Sequence, residues 1–142
     1  QQAKAQPADA VVRGELGNLY FDGQRFDLAI PWYEAAFKLD PKNINVSTDL
    51  AVCLYYTEQP DKAIAQIDRS LALDPRHPTT LLNQGIIRAF GKNDFTGAIE
   101  SWDKVISYAP NSPEAAKAKT LKLAHAQGAA TTGAGRGGGG GS

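Results

Sequence analysis

The cysteine and histidines of this sequence, the types that most often serve as nucleophile, base or metal ligand, are Cys53, His77 and His125. A catalytic cysteine needs a base within hydrogen-bond reach and a third group to orient that base. None of the three is paired by spacing with another such residue. Cys53 lies inside the apolar run "LAVCLYY", where a thiol reads as a buried structural residue. His77 precedes Pro78 at a turn and reads as a capping or solvated residue. One cysteine cannot build a C-x-x-C metal or redox motif, and "GKND" at 91–94 lacks the G-x-x-x-x-G-K-[ST] frame of a phosphate loop. We therefore expect no catalytic residues, no metal site and no cofactor, and a protein that is not an enzyme.

Charge narrows the partners. Lys plus Arg equals Asp plus Glu, at 15 each in 142 residues, so the chain lacks the net positive charge that drives phosphate-backbone binding. Nucleic acid is not expected, and the lone Arg136 in a glycine run does not make an RGG-type segment. There is no run of about 18 apolar residues, so no membrane insertion of this chain is expected. It reads as soluble, cytoplasmic or periplasmic, including the soluble part of an anchored or exported protein; the compartment stays open. The composition shifts at both ends. Residues 1–8, "QQAKAQPA", read as a flexible segment, and 128–142, "GAATTGAGRGGGGGS", as a disordered Gly-rich tail, because neither has large apolar residues to offset ordering entropy by burial.

What remains is binding, and that depends on the elements between. The ending "KLDPKN" at 38–43 returns as "ALDPRH" at 72–77 and, more loosely, as "SYAPNS" at 107–112. Pro41 and Pro75 are 34 residues apart, and Pro75 and Pro110 are 35 apart. A period of this size marks stacked supersecondary units. Each unit reads as two helices of roughly 14 residues joined by a short turn. Gly17, Ala51 and Gly85 in the first helices, and Ala29, Ala63 and Ala98 in the second, stand where two backbones must approach closely. Proline ends each unit because it disfavours helical geometry in the residue before it. Ser112-Pro113-Glu114 supplies an N-cap, a first-turn proline and a dipole-favoured carboxylate for a seventh helix over 113–127. Pro60 fits a first turn, whereas Pro31 falls inside its helix. The extra residue of the third unit is placed in the "GKNDFTG" turn.

"LGNLY" at 16–20, "AIPWY" at 29–33, Ala36 and Pro41 together give L-G-x-x-Y, A-x-x-x-aromatic, proline, which resembles the tetratricopeptide repeat family. The resemblance covers residues 10–111. It implies an all-α, right-handed α-solenoid of three helix pairs, units about 10–43, 44–77 and 78–112, closed by the cap helix 113–127, so that 9–127 form one domain. It further implies that the first helix of each unit lines a concave groove. Carried over position by position, the peptide-binding residues are Asn18, Phe21, Asp49, Val52, Tyr55, Tyr56, Asn83, Ile86, Phe90 and Lys117, with Val11, Gly14, Asp22, Asn45, Thr48, Thr79, Leu82 and Leu121 on the same face. Relatives that hold acidic C-terminal tails use a clamp of lysine, two asparagines, lysine and arginine on this face. Here only Asn18 matches, and Gly14, Asp49, Thr79 and Asn83 occupy the other places.

The expected function is a non-catalytic scaffold that binds a peptide or protein segment in that groove. The third unit, "LLNQGIIRAFGKNDFTGAIESWDKVISYAP", also resembles repeats of bacterial membrane-anchored proteins that hold apocytochrome c for haem attachment, which implies a client-holding chaperone as the alternative. A third reading is a self-assembling module, since exposed solenoid ends can stack into a homo-oligomer.

Overall fold

In the computed structural model the backbone is described for residues 2–141 and the side chains for 8–128. Seven helices follow one another: α1 Gln2–Asp22, α2 Phe26–Leu39, α3 Ile44–Tyr56, α4 Pro60–Leu73, α5 Pro78–Ile86 with a π-helical turn Ile87–Gly91 continuing it, α6 Phe95–Tyr108 and α7 Pro113–Gly141. There is no strand among the described residues, and the fold is the expected all-α solenoid of three pairs and a cap. The helical backbone runs through both ends whose composition changes, from Gln2 in α1 and to Gly141 in α7. The alanines before Asp9 favour that continuation. Glycine costs about 1 kcal/mol per residue in a helix interior, so the glycine run adds nothing to the stability of α7. The rest of the expectation for these segments, at the side chains of 1–7 and 129–142, lies outside the described residues.

The repeated Asp-Pro ending has a local cause. Asp40 and Asp74 are the C-caps of α2 and α4, and their amides bond back to the carbonyls of Ala36 and Ser70. Their carboxylates then accept the amides of Lys42 at 3.3 Å and Arg76 at 3.0 Å, which turns the chain across the proline. The third unit has Ala109 at this place, and Ser112 stands in: its hydroxyl donates to the Ala109 carbonyl at 2.7 Å and accepts the Ala115 amide at 3.0 Å. Asn43 and Asp94 cap α3 and α6 in the same way, accepting from Val46 and Gly97. Pro31 lies inside α2 and Pro60 opens α4.

Within each pair the turn passes through a left-handed residue, Gln24, Glu58 and Asn93 at φ 60°, 62° and 54°. Arg25 and Gln59 send their amides back five residues, to Tyr20 and Leu54, but Asp94 reaches back six, to Arg88 at 2.7 Å. The additional residue of the third unit is therefore taken up in the π-helical turn Ile87–Gly91 and not in the loop after it, since 92–94 is no longer than 23–25 or 57–59. Widening the last turn lets Arg88, half-buried, donate to the Gly97 carbonyl at 3.1 Å and the Ser101 hydroxyl at 2.8 Å on α6. At the equivalent place in the other units stand Tyr20 and Leu54.

Two apolar clusters follow the pairing of units. Tyr33, Leu50, Cys53 and Ile67 belong to the first, which reaches Ile87 of the third unit; Leu81, Trp102, Val105 and Ala118 of α7 belong to the second, and Leu71 packs against both. Between them runs a buried belt of hydroxyls. Ser70 donates to Ser47 at 2.7 Å, Gln66 Nε2 donates to Ser47 at 2.7 Å, and Thr48 joins Ser70 to Thr80. The His77 ring bonds to the Thr80 hydroxyl at 2.8 Å from the N-cap position of α5, without capping it by side chain.

Candidate functional site

The first helices of the units form one layer, with α3 against α5 and α5 against α7, and each second helix backs onto its own first helix and the next. Three clefts open along the first layer. One, of about 240 Å³, lies between α1 and α3 and is walled by Gly14, Asn18, Asn45 and Asp49. A second, of about 420 Å³, crosses α1, α3 and α5 and is lined by Phe21, Asp22, Asp49, Val52, Tyr56 and Asn83, with Gln24 and Phe26 at one edge. The third, of about 490 Å³, lies where α3 and α5 end, between Tyr55, Tyr56, Glu58, Pro60, Phe90 and Gly91.

Five of the ten residues expected to bind peptide, Phe21, Asp49, Val52, Tyr56 and Asn83, share the central cleft. Asn18 lines the neighbouring one, and Tyr55 and Phe90 the third. Asn18 has a second duty: its side-chain oxygen accepts the Tyr33 hydroxyl at 2.6 Å, while its amide nitrogen takes part in no side-chain hydrogen bond among the described residues. Asn83 donates to the Thr79 carbonyl of its own helix at 3.0 Å, which leaves its oxygen free. Ile86 is half-buried against the second core cluster, and Lys117 is exposed on α7 outside all three clefts. Among the wider set, Thr48 and Leu82 are buried and do not line the face: Thr48 is consumed by the hydroxyl belt, and Leu82 packs beside Trp102. Thr79 donates to Glu114 of α7 at 3.0 Å.

Sequence reasoning missed Phe26. It lies at the start of α2, outside the first helices to which the groove rule was applied, and the tight turn through Gln24 swings it onto the layer. Its ring stacks on Tyr56 with centroids 4.5 Å apart and planes 20° apart, Phe21 meets it edge-on at 5.4 Å, and Tyr55 adjoins Tyr56 at 5.2 Å. Such pairs contribute about 0.5–1.5 kcal/mol beyond their buried area. The result is a continuous aromatic wall from the first unit to the second.

The electrostatics of this face are acidic. Burial, and then the neighbouring Asp22, push the Asp49 carboxyl up to about 6. Burial and Asp49 push the Cys53 thiol up to about 12, so this fully buried cysteine stays protonated. Tyr33 is raised by burial first and then by Asp49. No Lys, Arg or His lines any of the three clefts. His125, far from Cys53 in the chain, stacks flat on Phe95 with centroids 4.5 Å apart.

A family model for the tetratricopeptide repeat matches residues 20–79, across the first two units. Residues 20–79 carry tetratricopeptide repeats. The chain is 26% identical over 114 residues to the Hsp70-Hsp90 organizing protein of Triticum aestivum, covering 80% of this chain and 19% of that protein. It is 36% identical over 86 residues to the BBSome complex member BBS4 of Bos taurus, covering 61% of this chain and 16% of that protein. The chain thus spans a fifth or less of the length of these two curated relatives. Among solved structures it is similar to the first repeat domain of Spaghetti (RPAP3) bound to the HSP90 peptide SRMEEVD, at a TM-score of 0.72 and 25% identity, with 84% of this chain and 94% of that one covered. No described helix of this repeat protein is long and apolar enough to cross a membrane.

Proposed function

We propose that this chain is a non-catalytic protein-interaction scaffold that takes an extended peptide or protein segment along the layer of α1, α3 and α5. The observation that carries this is the run of clefts across three successive units, lined by the aromatic wall of the first two and by the rings of Tyr56 and Phe90, which are 56% and 58% exposed. Rings held rigidly at the surface of a cleft bury partner side chains with little loss of rotamer freedom. Asn18 and Asn83 each keep one amide function free for the backbone of an extended segment. The peptide complex of the RPAP3 domain supports the same mode of use for a fold of this kind. The occupant differs, however. That peptide carries two glutamates and an aspartate, and here Asp22 and Asp49 hold the central cleft while Gly14 and Thr79 offer no charge.

The test is binding to an array of short peptides by the parent, by Tyr56→Ala combined with Phe90→Ala, and by Lys104→Ala on α6. Loss of a hot-spot anchor costs about 2 kcal/mol or more, so the double variant should lose most binding while Lys104→Ala keeps it. Parent-like binding by the double variant, with helicity retained, would place the partner elsewhere.

A further inference from the structure

The central cleft holds two carboxylates that no cation answers. The ion pairs among the described residues are Lys92–Asp61 and Lys122–Asp103, both on the surface and neither at Asp22 or Asp49. Asp49 is half-buried, and the titratable groups around it are Glu15 and Asp22 on α1, Tyr33 on α2, and Cys53 and Tyr56 on α3; α5 presents the neutral Asn83. None of them brings a positive charge. A desolvated carboxylate without a counter-charge is unfavourable in the free protein and becomes favourable when a partner supplies one.

The aromatic wall adds a second feature of the same sense. Phe26 and Tyr56 line the cleft that contains both carboxylates, their rings stacked on each other at its edge. A ring face attracts a cation through its quadrupole, and the aliphatic stem of a lysine or arginine packs on the same surface. Carboxylate and ring together select a cationic head group over a neutral one of the same shape.

Building on the scaffold reading, we propose that the bound segment presents a lysine or arginine side chain to this cleft, its head group between the Asp22 and Asp49 carboxylates and its stem against Phe26 and Tyr56. The central cleft is the specificity pocket of the groove. Flanking apolar residues of the segment occupy the Tyr55–Phe90 cleft beside it.

Fluorescence anisotropy with short labelled peptides of common apolar flanks and a central arginine, lysine, citrulline, norleucine or glutamate tests this. The arginine and lysine peptides should bind at least about tenfold more tightly than the citrulline, norleucine and glutamate ones. Asp22→Asn combined with Asp49→Asn, which keeps shape and removes charge, should abolish that preference. The preference should also be smaller at about pH 5 than at about pH 7, as Asp49 takes up its proton. Equal binding of arginine and citrulline peptides, or a preference that survives the double Asn variant, overturns the proposal. If all peptides bind alike and Tyr56→Ala with Phe90→Ala abolishes binding, recognition of a cation falls and the scaffold stands. If none binds, both readings fall.

Discussion

Asp49 shows how one residue can be costly to the fold and useful to the surface. Its carboxyl is raised from 3.8 to about 6 because burial and Asp22 both disfavour the charge. The folded state thus holds the proton where the unfolded chain has released it, so stability falls as pH rises from about 4 to about 6 and is flat above. Asp49→Asn removes this term. The variant should match the parent near pH 4 and be more stable by about 1–2 kcal/mol at pH 7, after allowance for partial solvent screening. Urea unfolding at the two pH values checks it, and a variant less stable than the parent at pH 7 would mean that the carboxylate is satisfied. The resemblance to tetratricopeptide repeats, carried over position by position, put Asp49 on the groove face. It did not show that Asp49 lacked a counter-charge, because that depends on which side chains three helices bring around it.

At the scale of the helix pair, the small residues of the first helices were legible because a close crossing leaves no alternative. A Cβ on Gly17 would stand 2.6 Å from the Tyr33 ring, and one on Gly85 would stand 2.5 Å from Trp102 Cδ1. At the same places in the second unit, Ala51 faces the shorter Ile67. Gly85→Leu should therefore destabilise by about 3 kcal/mol or more in urea, despite the better helix propensity of leucine, because Trp102 is fully buried and bonded to the Leu82 carbonyl at 3.3 Å. Gly14→Ala is the contrast: Val46 Cγ2 lies 3.5 Å from that Cβ, an ordinary contact, and the change should be neutral or slightly stabilising. Equal effects of the two would contradict the crossing geometry. The pattern did not reveal the π-helical turn, since an inserted residue reads identically in a loop or in a widened helix end. Nor did it reveal the hydroxyl belt: Ser47, Thr48, Ser70 and Thr80 look like surface residues until α3, α4 and α5 cross there.

Over the whole molecule, the period made the order of the helices legible and the family resemblance their layering, while the charge balance and aromatic contacts of the groove came only from packing. Stability in such an array is a sum of units and nearest-neighbour interfaces, so each end needs a cover. The C-terminal cover is α7: Ala115 and Ala118 are fully buried, Ala118 and Leu121 meet the cluster of Trp102 and Val105, and Glu114 ties to Thr79. Ending the chain after Ser112 would expose that cluster to water. The expected result is a lower urea midpoint and faster amide exchange concentrated in 78–108, with 26–67 much less affected because its cluster is separate except at Leu71 and Ile87. Exchange that rose evenly from the first unit to the third would show instead that the two clusters unfold as one, and that the hydroxyl belt between them couples the units as tightly as apolar packing does.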